Sequence, residues 1–557
     1  MQAIYNIPEI CAAHQIKHAI LSPGSRNAPI SIAFSRNEKI KSTTIIDERS
    51  AGYIALGIAE STREAVVLCC TSGTAVANYY PAIIEAFYQH IPLVIITADR
   101  PPEWVDEGDG QSIRQANIYS NHIIKSFNLL PDNEHKDSDW FIQRSMSEAI
   151  QTAQIERGPV HINIPLREPF YPSSIEETKP KNVRIIKKLP TESVLAAEGL
   201  LFVTGEMRYY EKILVVVGQS SGSKTLTEHL NLQNIPVIAE CTANIYSEAN
   251  IIKYHDVILN KNNDTAFEAL KPDLLISVGE QFISKNLKTF LRSNPPTEHW
   301  HIGTEKNVAD VFQCLTKIIS VEPEYFFKHI PYEAISNEYL ADWLFENNKA
   351  KLYTKLFLDT SEFSEFQAVH KIIPHIPSRS LVHYGNSMSI RYGNHLPIDE
   401  SKKVKVYSNR GASGIDGSLS TAVGHAITNP DIINTIILGD LSFFYDRNAL
   451  WNNLSLNNLR IIVLNNHGGG IFKMIPGPKR QPELESLFVT NQTLEAHHSA
   501  QDFDIDYQKC TSIDELENAL GNFYEPSLKA KIIEVVTDTD CNTKVYDLFR
   551  TLENYGK

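Results

Sequence analysis

Two hydrophobic periods alternate along the first hundred residues. Short runs rich in β-branched residues, HAIL, STTII, AVVLCC and PLVIITA, are each followed by a stretch where apolar residues recur every third or fourth position. Runs of the first kind read as strands, and stretches such as Ala51 to Glu60 and Ala75 to Tyr88 read as helices. Strand and helix in regular succession predict βαβ units and a parallel sheet. Several strands end in polar or glycine-bearing turns (SPGSR, DERS, TSGT, ADRPP), and ligands of open α/β sheets gather at such carboxyl ends.

A second series, KILVVVG, IPVIAE, KPDLLISVGE and EHWHIG, starts after a lysine- and proline-containing stretch at about 178–190. A third follows a polar helical region around Asn337 to Ser364, with strands at SLVHYGNS, VKVYSNR, NTIILGD, LRIIVLNN and AKIIEVVTD. The expected architecture is α/β, with three domains, each a mainly parallel sheet flanked by helices. We place them at 1–178, 190–340 and 365–557. Glycine and charge concentrate at the strand ends of the outer two, so those are expected to work around a structural middle.

Length agrees, because 557 residues exceed what one hydrophobic core holds. With 42% hydrophobic and 21% charged residues the chain has the composition of a folded protein. A net charge of −14 argues against a general nucleic-acid binder. The apolar runs fall well short of the ~20 residues of a membrane helix. The N-terminus lacks a basic region followed by an unbroken apolar stretch, so a cytoplasmic location is expected. Seven cysteines without a CxxC pair indicate neither a disulfide framework nor a zinc site.

The strongest chemical signal runs from Gly439 to Gly470. One strand ends in Asp440 and the next in Asn465 and Asn466, followed by His467 and three glycines. If these strands are parallel neighbours, a carboxylate and an amide oxygen reach the same edge. With a backbone carbonyl near Gly468 they suit Mg²⁺, which takes hard oxygens and keeps sites for phosphate. Glycines let the backbone approach a diphosphate. Either dipeptide alone is usually only a turn; the pair resembles the metal motif of thiamine-diphosphate enzymes. Glu48, ending STTIIDE, is placed for the carboxylate that such enzymes set against the aminopyrimidine ring, and its alternative is an acid in a first helical turn. Arg26, Arg100, Arg391 and Arg410 each follow a strand end, and four forked cations there point to substrates with several carboxylates.

The segments SPGSRNAP, DERSAGYIALG, TSGTAVANYYPAIIEA, TADRPPE, GNSMSIRYG, SNRGASGIDG, GDLSFFYDRNAL and NNHGGGIF together resemble the 2-succinyl-5-enolpyruvyl-6-hydroxy-3-cyclohexene-1-carboxylate synthase family. That resemblance implies a transferase of menaquinone biosynthesis, using thiamine diphosphate and Mg²⁺, with Mn²⁺ as an alternative. The implied reaction decarboxylates 2-oxoglutarate and adds the resulting carbanion to isochorismate in a 1,4 sense. By matched position Glu48 activates the cofactor, and Asp440, Asn466 and the Gly468 carbonyl bind the metal. Ile415 is the wedge under the cofactor, and Ser387 and Ser442 face the diphosphate. Ser25, Arg26, Arg100, Gln111, Lys285, Arg391 and Arg410 match substrate-carboxylate positions, and Ile471, Phe472 and Ile475 an apolar wall. Asn286 departs from the basic pair of some members, and His467 is expected to be a bystander. The resemblance also implies a homodimer or homotetramer whose sites combine pyrimidine-binding (first) and diphosphate-binding (third) domains of different subunits. Rival readings are an acetolactate-synthase-like carboligase, another 2-oxoacid decarboxylase, or a silent scaffold that kept the fold. Flavin-using relatives fit less well, because VVVGQSSGSK lacks GxGxxG.

Overall fold

A computed structural model describes residues 1–130, 135–189, 191–246, 249–260, 267–330, 337–553 and 555. Among these described residues eighteen strands form three six-stranded sheets in which every paired neighbour is parallel. The first contains β1 (His18–Leu21), β2 (Lys41–Thr44), β3 (Val66–Cys70), β4 (Leu93–Asp99), β5 (Lys125–Asn128) and β6 (Val160–Pro165), ordered 2-1-3-4-6-5. The second holds β7 (Ile213–Val217), β8 (Val237–Ala239), β9 (Ile251–Ile252), β10 (Leu274–Val278), β11 (Glu298–Ile302) and β12 (Lys317–Ile319) in the order 12-11-10-7-8-9. The third comprises β13 (Leu381–Tyr384), β14 (Lys405–Tyr407), β15 (Asn434–Gly439), β16 (Leu459–Asn465), β17 (Asp506–Cys510) and β18 (Lys531–Val536), ordered 14-13-15-16-18-17. Central strands such as β3, β4 and β16 are buried throughout, as parallel strands covered on both faces must be. The α/β architecture expected from the hydrophobic pattern is therefore the one observed.

Numbered within each sheet, the outer two have the same strand order, so each element of one has a counterpart in the other. The helix Glu48–Thr62, which follows the second strand of the first sheet, corresponds to the helix Ser418–Thr428 after the second strand of the third. These two counterparts pack directly on each other. A Cβ at Gly57 would lie 2.2 Å from the Thr421 carbonyl oxygen, and one at Gly424 2.4 Å from that of Ile54. Backbones approach this closely only where side chains are absent. His425 Nε2 lies 3.0 Å from Glu60 Oε2, and Thr428 Oγ1 donates to Ser61 Oγ at 2.8 Å along the same seam. One hydrophobic cluster runs through this contact, joining Tyr53, Ile54 and Ile58 to Leu419, Ala422 and Val423. Another joins the second sheet to the third.

The middle sheet has a different order, the doubly wound one that in other proteins binds dinucleotides at the crevice between its first and fourth strands. Here Gln219 and Glu280, which follow those strands, form an antiparallel bridge across that crevice. Their backbones exchange two hydrogen bonds. A Cβ at Gly218 would fall 2.3 Å from the Glu280 carbonyl oxygen, so the turn is filled by its own neighbour.

Candidate active site

Register carries Asp440 and Asn466 to one edge. Gly439 on β15 pairs with Leu464 on β16, so the residues that follow leave adjacent parallel strands together. Asp440 starts the helix Asp440–Asp446 and is 2% exposed. Gln492 Nε2 donates to its Oδ2 at 2.7 Å, and the Gly468 backbone N–H also donates to it. Burial nevertheless pushes its carboxyl up to about 6. Asn466 donates from Nδ2 to Glu365 Oε1 at 2.6 Å, which turns its Oδ1 the other way. That Oδ1 is buried and has no hydrogen-bond partner. Glu365 is buried too, takes a hydrogen bond from the Tyr392 hydroxyl at 3.1 Å, and is pushed up to about 7 by burial, with the Asp440 charge adding to the effect.

An unpartnered amide oxygen beside two carboxylates that burial and mutual repulsion drive toward neutrality is an arrangement a divalent cation would satisfy. The three glycines keep it open: a Cβ at Gly468 would lie 2.7 Å from the Val489 carbonyl oxygen, and at Gly470 2.9 Å from Asn466 Nδ2. Among the described residues no cluster of three or more His, Cys, Asp or Glu could hold a metal. A mixed set with few side chains, completed by phosphate, is thus what this edge can offer.

Ser387 caps the helix Met388–His395 with φ +73 and ψ −123, a backbone conformation that costs a non-glycine residue of order 1–3 kcal/mol and concentrates at functional sites. Its carbonyl accepts from Arg391. Arg410, one strand away, donates to Asn386 Oδ1 at 2.7 Å. Burial lowers its pKa, and the Arg391 charge lowers it further. Neither arginine forms an ion pair among the described residues. Ser442 donates its hydroxyl proton to the Ile415 carbonyl at 2.8 Å, so it anchors the loop that presents Ile415, itself 36% exposed. Phe472 packs on Phe488, with Ile471 half-buried beside it and Ile475 exposed.

Glu48 opens its helix between two anchoring residues. Asp47 caps Ser50 N–H and accepts from Asn448 Nδ2 at 2.7 Å, while Arg49 donates to the Tyr445 carbonyl at 2.7 Å. Burial raises the Glu48 carboxyl. Its neighbours hold Tyr445 and Asn448, at and beyond the far end of the helix begun by Asp440, about 9 Å along the axis. Of the other first-domain residues, Ser25 and Gln111 are exposed and Gln111 has φ +56. Arg26 is 5% exposed, donates to the Leu166 carbonyl and stacks on Phe170. Arg100 pairs with Asp109 at 3.0 Å.

In the middle domain Lys285 is exposed, while Asn286 donates to the Asp256 carbonyl at 2.8 Å, a structural bond in place of a second cation. One turn on, Lys288 is half-buried; burial lowers its pKa first, and Arg410 is among the cations adding to that. Asn386 lies in GNSMSIRYG without having been singled out, while Lys288, Glu365 and Gln492 carry no motif and were not legible from sequence. Glu85 was, in principle: it is a lone acid inside the apolar helix Tyr80–Tyr88 and is 1% exposed.

The residues 3–118 match the family model of the N-terminal thiamine pyrophosphate-binding domain of thiamine pyrophosphate enzymes. Paired outer sheets of identical order, with oxygens at the edge of the third and a buried-leaning carboxyl at the edge of the first, define a thiamine-diphosphate-binding enzyme. A protein of Cytophaga hutchinsonii named 2-succinyl-5-enolpyruvyl-6-hydroxy-3-cyclohexene-1-carboxylate synthase is 43% identical over 99% of this chain and 98% of its own. Proteins of the same name from Christiangramia forsetii and Flavobacterium johnsoniae are each 38% identical, covering 97% and 96% of this chain and 96% of their own. The chain belongs to the 2-succinyl-5-enolpyruvyl-6-hydroxy-3-cyclohexene-1-carboxylate synthase family.

Proposed function

We propose that this enzyme decarboxylates 2-oxoglutarate and adds the remaining four-carbon unit to isochorismate. The products are 2-succinyl-5-enolpyruvyl-6-hydroxy-3-cyclohexene-1-carboxylate and CO₂, in menaquinone biosynthesis. The observation that carries the substrate reading is the pair Arg391 and Arg410. The Arg391 charge weighs on the partly desolvated Arg410 more than either nearby carboxylate, Glu240 or Glu85, relieves it, and neither arginine has an ion-pair partner among the described residues. Such a pair is stabilised by an incoming anion, and forked donors take carboxylates bidentately. A smaller, singly charged 2-oxoacid would leave part of this charge unanswered.

Bound thiamine diphosphate supplies the electron sink for decarboxylation. Asp440, Asn466 Oδ1 and the Gly468 carbonyl would hold Mg²⁺, or Mn²⁺, on its diphosphate. The strained Ser387 turn would face that diphosphate, and Ser442 acts by holding the Ile415 wedge. The Glu48 carboxyl, raised by burial, would be the group that holds or gives up a proton at a nitrogen of the aminopyrimidine. Arg100, already paired with Asp109, can exchange that carboxylate for one of a substrate. Ser25, Gln111 and Lys285 complete the polar rim, Arg26 braces it from within, and Ile471, Phe472 and Ile475 form the apolar side.

Within one chain the neighbours of Glu48 bind Asn448 and Tyr445, at about one helix length from Asp440. We read the working unit as a homodimer or homotetramer with sites between subunits, and its location as cytoplasmic. Among the described residues no helix is long and apolar enough to cross a membrane. The test is isochorismate consumption with thiamine diphosphate, Mg²⁺ and 2-oxoglutarate. No consumption by folded protein, or equal turnover with pyruvate, overturns the substrate reading. Sedimentation of a fully active monomer overturns the assembly.

A further inference from the structure

The loop 409–415 belongs to the third domain, yet its shape is set from the first. Glu85, on the helix Tyr80–Tyr88, directs both carboxylate oxygens at it: Oε1 accepts from Gly411 N–H and Oε2 from Ala412 N–H, each at 2.7 Å. The Ser413 N–H also donates to this carboxylate. Three successive backbone donors therefore converge on one buried anion, a concave arrangement of the kind that binds anionic ligands. The loop lies so close that a Cβ at Gly411 would fall 2.7 Å from the Glu85 carbonyl oxygen. From the other side, Asn386 Nδ2 donates to the carbonyls of Asn409 at 2.7 Å and Gly414 at 2.6 Å. Glu85 forms no ion pair among the described residues; these three backbone amides and the Gln89 side-chain amide compensate the burial of its charge, which also attracts Arg410. Nothing in the cofactor or metal site requires an acid here.

We propose that Glu85 is a positioning residue for the reaction: its carboxylate shapes the 409–415 loop and so sets where Arg410 meets a substrate carboxylate and where Ile415 meets the cofactor. This rests on the function proposed above for Arg410 and Ile415. Glu85→Gln keeps the volume but replaces one acceptor by an amide that donates, which places N–H against N–H. The loop loses at least one of its three bonds.

Two measurements decide it. Hydrogen exchange of amides 411–413, read by mass spectrometry on the full-length protein, is expected to accelerate at least tenfold in Glu85→Gln and to be partly restored in Glu85→Asp. Unchanged exchange in a folded Glu85→Gln protein overturns the shaping role whether or not the substrates are correctly assigned. The second is a double-mutant cycle with Arg410→Ala. Glu85→Gln is expected to raise KM for the dicarboxylate substrate at least tenfold when Arg410 is present and less than threefold when it is absent. Equal effects in both backgrounds, or a fall in kcat alone, overturn action through Arg410. If Glu85→Gln does not fold, Glu85→Asp carries the same comparison with a smaller expected rise in KM, still present only with Arg410 in place, and equal effects in both backgrounds overturn the proposal.

Discussion

Replacing Gly57 by alanine separates two opposing expectations. In an isolated helix the change is favourable, by about 1 kcal/mol, because glycine has the higher backbone entropy to lose. In this fold the added Cβ would sit 2.2 Å from the Thr421 carbonyl oxygen and 2.9 Å from its carbonyl carbon, where ordinary contact begins near 3.4 Å. The obstacle is backbone, so no rotamer change relieves it; the helices Glu48–Thr62 and Ser418–Thr428 must part by about 1 Å. Overpacking of this kind costs about 1–3 kcal/mol. Parting also strains the approach of Gly424 to Ile54 and the bond between Thr428 and Ser61. The two terms net to about 0–2 kcal/mol and the disturbed seam adds to that, so destabilisation by about 1–2 kcal/mol is expected, a Tm lower by roughly 2–8 °C where a unit of about 150–250 residues unfolds together. Gly205, helical with open space around its Cβ position, supplies the control: Gly205→Ala should raise Tm slightly or leave it unchanged. Thermal unfolding of both variants, followed by circular dichroism, checks the pair. A Gly57→Ala protein as stable as wild type would refute the reasoning. Activity should fall further than stability, since the first helix begins at Glu48 and the second follows the loop bearing Arg410 and Ile415.

Three further outcomes are expected. Glu48→Gln should abolish turnover while leaving thermal unfolding near that of wild type; near-normal activity would remove Glu48 from its role. Glu365→Gln should weaken Mg²⁺ binding about 10- to 100-fold, since the Asn466 amide loses the carboxylate that orients it; calorimetric titration of Mg²⁺ in the presence of thiamine diphosphate measures this, and an unchanged affinity would count against the orientation argument. Glu60, whose carboxyl is pushed up to about 8 by burial, binds its proton more tightly in the folded state. Its contribution to stability is complete below about pH 4.5 and is lost as pH rises through about 8. His425 opposite it is lowered to about 3 by burial, so its own contribution is lost only on acidification. The Tm of wild type relative to Glu60→Gln should therefore decline between about pH 5 and pH 8, and a pH-independent difference would refute it.

The hydrophobic pattern exposed the interior strands because parallel strands covered on both faces are apolar throughout. Of the five strands it did not mark, four lie at sheet edges: β5 is KSFN, β9 is two residues, β12 is KII and β17 is DYQKC. These edge strands are short and, apart from the buried two-residue β9, half solvated, so neither period develops. The fifth, β6, is central and buried, but its VHINIP is interrupted by His161 and Asn163. Those two are held by buried partners, His161 by the Thr97 hydroxyl at 2.7 Å and Asn163 by Asp99 at 2.8 Å, which no single-residue scale anticipates.

The site divides along a similar line. Asp440 and Asn466 were legible because consecutive parallel strands deliver their terminal residues to one edge, and strand order follows from the chain. What Glu85, Asn386 and Glu365 do was not, because each acts on a loop or side chain far away in sequence, and that information lies in which domain packs on which. Arg26 and Arg100 show the reverse. Both follow strand ends, as a carboxylate-binding residue should, yet the structure gives one to the Leu166 carbonyl and the other to Asp109. Strand topology can place a cation at the working edge. Whether that cation is available to a ligand depends on the competing acceptors folded around it, and here those leave Arg391 and Arg410 without an ion pair among the described residues, Glu240 and Glu85 acting on Arg410 only through their charge.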